Sequence, residues 1–223
     1  MERHFERELS ALTANVIAMG GLVDEQIQSG FQALFNGDSE LAEEVIARDR
    51  EVDAFDTRID EQCLGIFALT QPVAIDLRLL MSALKMNNQL ERIGDIAVNV
   101  AQRVAALVGY QDLIGRTRLS EMAQISRIMV RDSLDSFIQH DASIATRVLD
   151  SDDVVDDLNR GIFRALVKEM QDYHDLIAPA AHLLILSRHI ERLADHATNI
   201  AEDVIFLVEA RLVKHNATDH LHT

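Results

Sequence analysis

The sequence predicts an all-α fold of two similar three-helix bundles lying side by side, six long helices in all, and three observations predict it. Apolar residues recur at spacings of three and four over long stretches, the period of an amphipathic helix. Two Pro, nine Gly and no Trp, with few aromatics and much Leu, Ala, Glu, Asp, Arg and Ile, argue against a β-sandwich and for helix. One stretch also occurs twice: ERIGDIAVNVAQRV at 91–104 and ERLADHATNIAEDV at 191–204, so Glu91, Asp95 and Asn99 recur as Glu191, Asp195 and Asn199 at an offset of 191 − 91 = 100. The chain therefore holds two copies of one unit.

The first predicted helix runs from Phe5 to Phe35 on a seam of Phe5, Leu9, Leu12, Val16, Met19, Val23, Ile27, Phe31 and Leu34. Gly20 and Gly21 interrupt it, which marks a close approach by another helix or a kink. Asn36-Gly37 ends it and Asp38 caps the second, whose seam is Leu41, Val45, Val52, Phe55, Ile59, Cys63 and Ile66. Pro72 stops the second helix and suits the first turn of the third, which is expected from about Val73 to Val108 on Met86, Leu90, Ile93, Ala97, Val100, Val104 and Leu107. Leu77, Leu80 and Leu84 fall on a different side, so this helix should be covered on two faces, as one at the junction of two bundles would be.

Two Gly between Gly109 and Thr117 break the period and place the boundary there, giving a first repeat over 1–110 and a second over 117–213. The fourth predicted helix uses Leu119, Met122, Ile125, Met129, Leu134, Phe137 and Ile138. Asp141 then caps the fifth, which carries Ile144, Val148, Val155, Leu158, Ile162 and Leu166. The sixth starts near Pro179 and ends around Val213. The tail 214–223 lacks apolar periodicity and is expected to be disordered; no native role is assigned to His215, His220 and His222.

A formal net charge of −16 opposes nucleic-acid binding. The single cysteine, Cys63, fits a buried position and a reducing compartment. A charged N-terminus and the lack of about 20 consecutive apolar residues point to a cytoplasmic protein that meets a membrane only through partners.

At about 100° per residue, each Glu-x3-Asp-x3-Asn set lies within a narrow stripe of one helix face. Like charges at i,i+4 destabilise an exposed helix, so either solvent and a neighbouring arginine relieve them or a cation does. An all-oxygen set suits Mg, Ca, Mn or Fe. A second acidic edge lies on the middle helix of each half, Asp49 and Asp53 matching Asp152 and Asp156 at an offset of 152 − 49 = 103, with Asp56 and Asp60 extending it in the first half. In a hairpin turning near Pro72, Asp53 and Glu91 reach a similar height. Helical angles place Glu91 and Asp95 roughly 140–180° from their seam, on the outer face, so whether the two pairs share an ion stays open.

These motifs, MGGLV (19–23), DREVD (49–53), QPVAIDLRL (71–79), LERIGDIAVNVA (90–101) and IERLADHATNIAEDVI (190–205), make the chain resemble the PhoU family of bacterial phosphate-uptake regulators along nearly its whole length. Ala194 departs from the ERIGD form that Gly94 keeps. The resemblance implies paired three-helix bundles and no catalytic activity. It implies divalent or trivalent metal ions (Fe, Mn, Mg, Zn or Ca), often as multinuclear clusters, on Asp49, Asp53, Glu91 and Asp95 and on Asp152, Asp156, Glu191 and Asp195, with Asn99 and Asn199 secondary. It also implies a negative regulator linking the ATPase of the Pst phosphate transporter to a PhoR-type sensor kinase. Oligomeric state, a homo-oligomer included, stays open. The rivals are a metal-independent helical interaction module and a di-iron carboxylate oxidase. The latter chemistry wants Glu-x2-His, whereas Gly94 and Ala194 stand at the i+3 positions.

Overall fold

The computed structural model describes residues 2–214. The chain forms α1 (Glu2–Asn36), α2 (Ser39–Leu69), α3 (Ala74–Val104), α4 (Gln111–Gly115), α5 (Leu119–Gln139), α6 (Ala142–Asp172) and α7 (Ile177–Glu209), with 3-10 turns at Ala105–Leu107 and His174–Leu176. No strand occurs among the described residues, and none of their helices is long and apolar enough to cross a membrane. The three tail histidines lie outside the described residues.

The seam residues of α1 from Leu9 to Leu34 are buried, as their spacing requires. Gly20 is the point of close approach: a Cβ there would lie 2.7 Å from Leu134 Cδ2 of α5, whereas Gly21 faces open space. Asp38 caps α2 by accepting from the Leu41 N–H at 3.0 Å, and Asp141 caps α6 by accepting from the Ser143 N–H at 2.8 Å. Each satisfies an amide that the first turn of a helix leaves unpaired. Cys63 is buried, and burial first, then the Asp60 charge, pushes its thiol up to about 11.

Several boundaries differ from expectation. Pro72 lies in an extended link before α3, not in its first turn; Pro179 does sit in the first turn of α7, where its missing N–H is one the helix would leave unpaired. α3 stops at Val104 because the chain tightens into a 3-10 turn before Gly109, at φ +88°. α7 stops at Glu209, where Ala210 turns left-handed and its N–H bonds the Phe206 carbonyl at 3.0 Å. The boundary segment holds α4, too short to show a period, with Leu113 and Ile114 buried. Ile138 is exposed, since Phe137 takes the inward position at the end of α5.

Helices α1, α2 and α3 pack as one bundle and α5, α6 and α7 as the other, while α3 against α7 and α1 against α5 join the halves. The buried apolar residues form one continuous cluster through both. Polar contacts reinforce the joint. Arg127 of α5 grips Asp24 of α1 with two bonds of 2.8 and 2.9 Å and donates to Gln28, and across α3 and α7 the Ser82 hydroxyl and the Lys85 ammonium both meet Asp203. Such a two-point Arg–carboxylate fork is geometrically demanding. The junction role expected of α3 is what the packing shows, with Leu80 fully buried, Leu84 half-buried and Leu77 exposed.

Candidate metal centres

In the first half, α2 and α3 run antiparallel and bring their acidic edges together. Burial and then the charges of Asp53 and Asp95 raise the Asp49 pKa. That of Glu91 is raised by burial, then by Asp95 and Asp56, against a counter-pull from Arg92. Carboxylates of α2 and α3 thus lie close enough to repel one another. Glu91 corrects the outer-face expectation: it is half-buried beside α2, because a helix packed against α1, α2 and α7 keeps little outer face. Asp95, one turn on, is exposed.

Gly94 lets the helices close between the two acids. A Cβ there would lie 3.3 Å from Val52 Cγ1 and 3.4 Å from Gln26 Oε1. Gln26 lies under this tract, buried, its amide atoms without a well-formed hydrogen bond yet near enough to temper the rise at Asp49. Further along, fully buried Asn87 donates to Asp56 Oδ1 at 2.7 Å and Asp60 Oδ1 at 3.0 Å, tying that end of the edge down. Neither amide was legible, since a lone Gln or Asn has no periodic signature.

In the second half, Asp152 and Asp156 of α6 face Glu191 and Asp195 of α7. The Asp195 pKa is raised by burial, then by Asp152 and Asp156, against Arg188 and Arg192. Burial also raises that of Glu191, but Arg188 pairs with it and pulls the other way. Arg160 reaches Asp156 at 3.7 Å and Asp157 at 2.6 Å. Sequence reasoning passed over these two arginines, although their i,i+4 and i,i+3 spacings to the acids were the available signal.

Asn99 is half-buried one turn beyond Asp95. Asn199 turns away from the acids of α6 and donates to Gln89 Oε1 of α3 at 3.4 Å, beside His196, whose Nδ1 meets the same oxygen at 2.7 Å. Burial first, then Arg192 and Arg92, pull the His196 ring down to about 4, so it is neutral at pH 7. It is a partner of α3, not a member of the acidic tract.

Among the described residues, no three Asp, Glu, His or Cys side chains converge to form a closed cation cage. The tracts are open strips of mutually repelling carboxylates. Their all-oxygen donors fit a hard cation, which would have to draw the side chains in by rotamer changes.

The repulsion has a testable sign. A carboxyl whose folded pKa lies above its ordinary value penalises the fold when ionised; the penalty is full above the raised pKa and is relieved as pH falls towards the ordinary 3.8 of Asp. In chelator, Asp195→Asn should therefore melt above the parent at pH 7, and thermal melts should show that lead shrinking as pH drops towards 3.8. A lead that stayed constant would place its origin elsewhere.

A model of the PhoU domain matches the chain twice, over residues 16–104 and 119–204. A phosphate-specific transport system accessory protein PhoU homolog of Pseudomonas putida is 36% identical over 216 residues, covering 96% of this chain and 84% of the relative. The crystal structure of PhoU from Pseudomonas aeruginosa superposes with a TM-score of 0.87 at 35% identity, covering 93% of this chain and 100% of that one. That of the phosphate transport system regulatory protein PhoU from Streptococcus pneumoniae gives 0.86 at 29%, covering 94% and 99%. With two copies of the domain spanning most of its length and relatives about a third identical along nearly all of it, the chain belongs to the PhoU family.

Proposed function

We propose that this chain is a cytoplasmic regulator of phosphate uptake and phosphate-starvation signalling that works by binding proteins and turns over no substrate. The observation that carries this reading is the whole-length likeness to accessory and regulatory proteins of phosphate transport, reaching both halves of the repeat. By that likeness its partners are the ATPase of a Pst-type transporter and a PhoR-type sensor kinase, whose signal it holds off when phosphate is plentiful. Metal ions are held by Asp49, Asp53, Glu91 and Asp95 in one half and by Asp152, Asp156, Glu191 and Asp195 in the other. A bound cation supplies charge neutralisation there. The carboxylates that now push on one another supply oxygen ligands, and Gly94, having no Cβ to meet Val52, lets α2 and α3 pack closely between them.

Deleting the gene in its source bacterium should switch on a phosphate-starvation reporter at high phosphate, and the purified chain should retain the transporter ATPase or the kinase in pull-down. With a surface of formal net charge −16, that capture should weaken as salt shortens the Debye length to about 10 Å at 0.1 M and below. Normal repression in the deletion strain, with no second such gene and neither partner retained, would overturn this reading. One observation favours a metal-independent interaction module: no acidic cage is closed among the described residues. Metal analysis of untagged protein separates the two.

A further inference from the structure

The two halves share a fold but differ in charge along one edge. At the offset of 103 that places Asp49 on Asp152, the α2 residues Asp56, Thr57, Asp60 and Glu61 correspond to Asn159, Arg160, Phe163 and Arg164 of α6; at the offset of 100, Asn88 of α3 corresponds to Arg188 of α7. An acidic edge in one repeat is thus a basic, aromatic edge in the other, within a strongly acidic chain. Arg160, Arg164 and Arg188, with Asn159, Phe163 and Ser187, line an open groove of about 430 Å³ between α6 and α7. Two of the three guanidinium groups touch the acidic tract next to it, Arg188 paired with Glu191 and Arg160 reaching Asp156 at 3.7 Å while holding Asp157, outside the tract, at 2.6 Å. Arg164 has no ion-pair partner among the described residues, and Phe163 beside it is 56% exposed.

We infer that this groove binds a phosphate group, and that a cation in the second acidic tract frees Arg188 to do so. The inference rests on the cation reading proposed above. A cation on Asp156 and Glu191 takes the carboxylate oxygens that Arg188 now holds and that Arg160 reaches at 3.7 Å, so Arg188 is released into the groove it already lines, beside Arg160, which keeps its bond to Asp157. Three guanidinium groups suit a phosphate better than a carboxylate. A carboxylate has two oxygens and one negative charge, which the chain's own acids already match, whereas a phosphate offers at least three oxygens and nearly two charges. Phe163 supplies an apolar flank for an organic group attached to the phosphate. By linkage the coupling runs both ways, so phosphate must raise cation affinity by the factor by which the cation raises phosphate affinity.

That reciprocity makes the test. Mn²⁺ binding is followed by electron paramagnetic resonance on untagged full-length protein carrying Asp95→Ala, which disables the first tract. It is measured in chloride, in inorganic phosphate and in phenyl phosphate at equal ionic strength, with protein-free blanks for Mn²⁺–phosphate complexes. Either phosphate should tighten Mn²⁺ binding about tenfold. Adding Arg164→Gln should abolish the enhancement while leaving Mn²⁺ affinity in chloride unchanged. A larger effect of phenyl phosphate would identify an organic phosphate, seated on Phe163, as the better ligand; equal effects would identify the free ion. Mn²⁺ binding without enhancement, or an enhancement that survives Arg164→Gln, overturns the phosphate site and leaves the cation reading standing. No Mn²⁺ binding in any buffer overturns both.

Discussion

Ile190→Ala should destabilise the fold by about 2–5 kcal/mol, the range for a large-to-small change at a fully enclosed site. Ile190 is 0% exposed and stands next to Glu191 on α7, the helix that packs on α5, α6 and α3 together, so the void it leaves has walls from several elements that cannot all collapse. Leu90, its counterpart on α3 and also 0% exposed, should behave alike. Urea denaturation in chelator gives the comparison that matters. Glu91→Ala, one residue away, removes a carboxylate that its neighbours repel and should leave stability unchanged or slightly higher. A loss at Glu91 equal to that at Leu90 would mean that its side chain is structural, and would remove it from the candidate ligands.

Adding a divalent cation to the chelated chain should raise its melting temperature, and chelator should reverse the rise. Anything that binds the folded chain alone stabilises it by mass action, by about 2.7 kcal/mol at a hundred times the dissociation constant. Here the gain has a local origin, the relief of repulsion among Asp49, Asp53, Glu91 and Asp95. Asp95→Ala with Asp195→Ala should cut the response to cation sharply while leaving the chain folded, since neither residue belongs to the buried core. Differential scanning calorimetry across Mg²⁺, Ca²⁺, Mn²⁺, Zn²⁺ and Fe²⁺ would rank the ions. A double variant that kept the full response would remove the two tracts from consideration as the cation sites.

What could be read from the sequence was whatever repeats along a helix. The seams of α1, α2 and α3, the caps at Asp38 and Asp141 and the twofold acidic motif all announce themselves by spacing, and the structure places the seams and caps as expected. What could not be read depended on neighbours brought in from elsewhere in the chain. α4 exists because Leu113 and Ile114 find a buried place, within five residues that show no period. Glu91 looked outward because a helical angle measured from one seam ignores a third neighbour. Asn199 shares the motif spacing but turns to Gln89, because α3 and not α6 lies on its side of α7. The pairing of Arg160 with Asp156 and of Arg188 with Glu191 follows from helical spacing alone, at i,i+4 and i,i+3.

The opposite charges at 56–61 and 159–164 bear on how a partner can be seated. A surface that recognised only the helical shape of this molecule would meet nearly the same object in two orientations, related by exchanging the halves, and would have no means of choosing. Placing Glu61 where Arg164 belongs turns an attraction into a repulsion, and like-charge contacts of that kind are what suppress wrong docking. A molecule built by repetition thereby acquires a head and a tail.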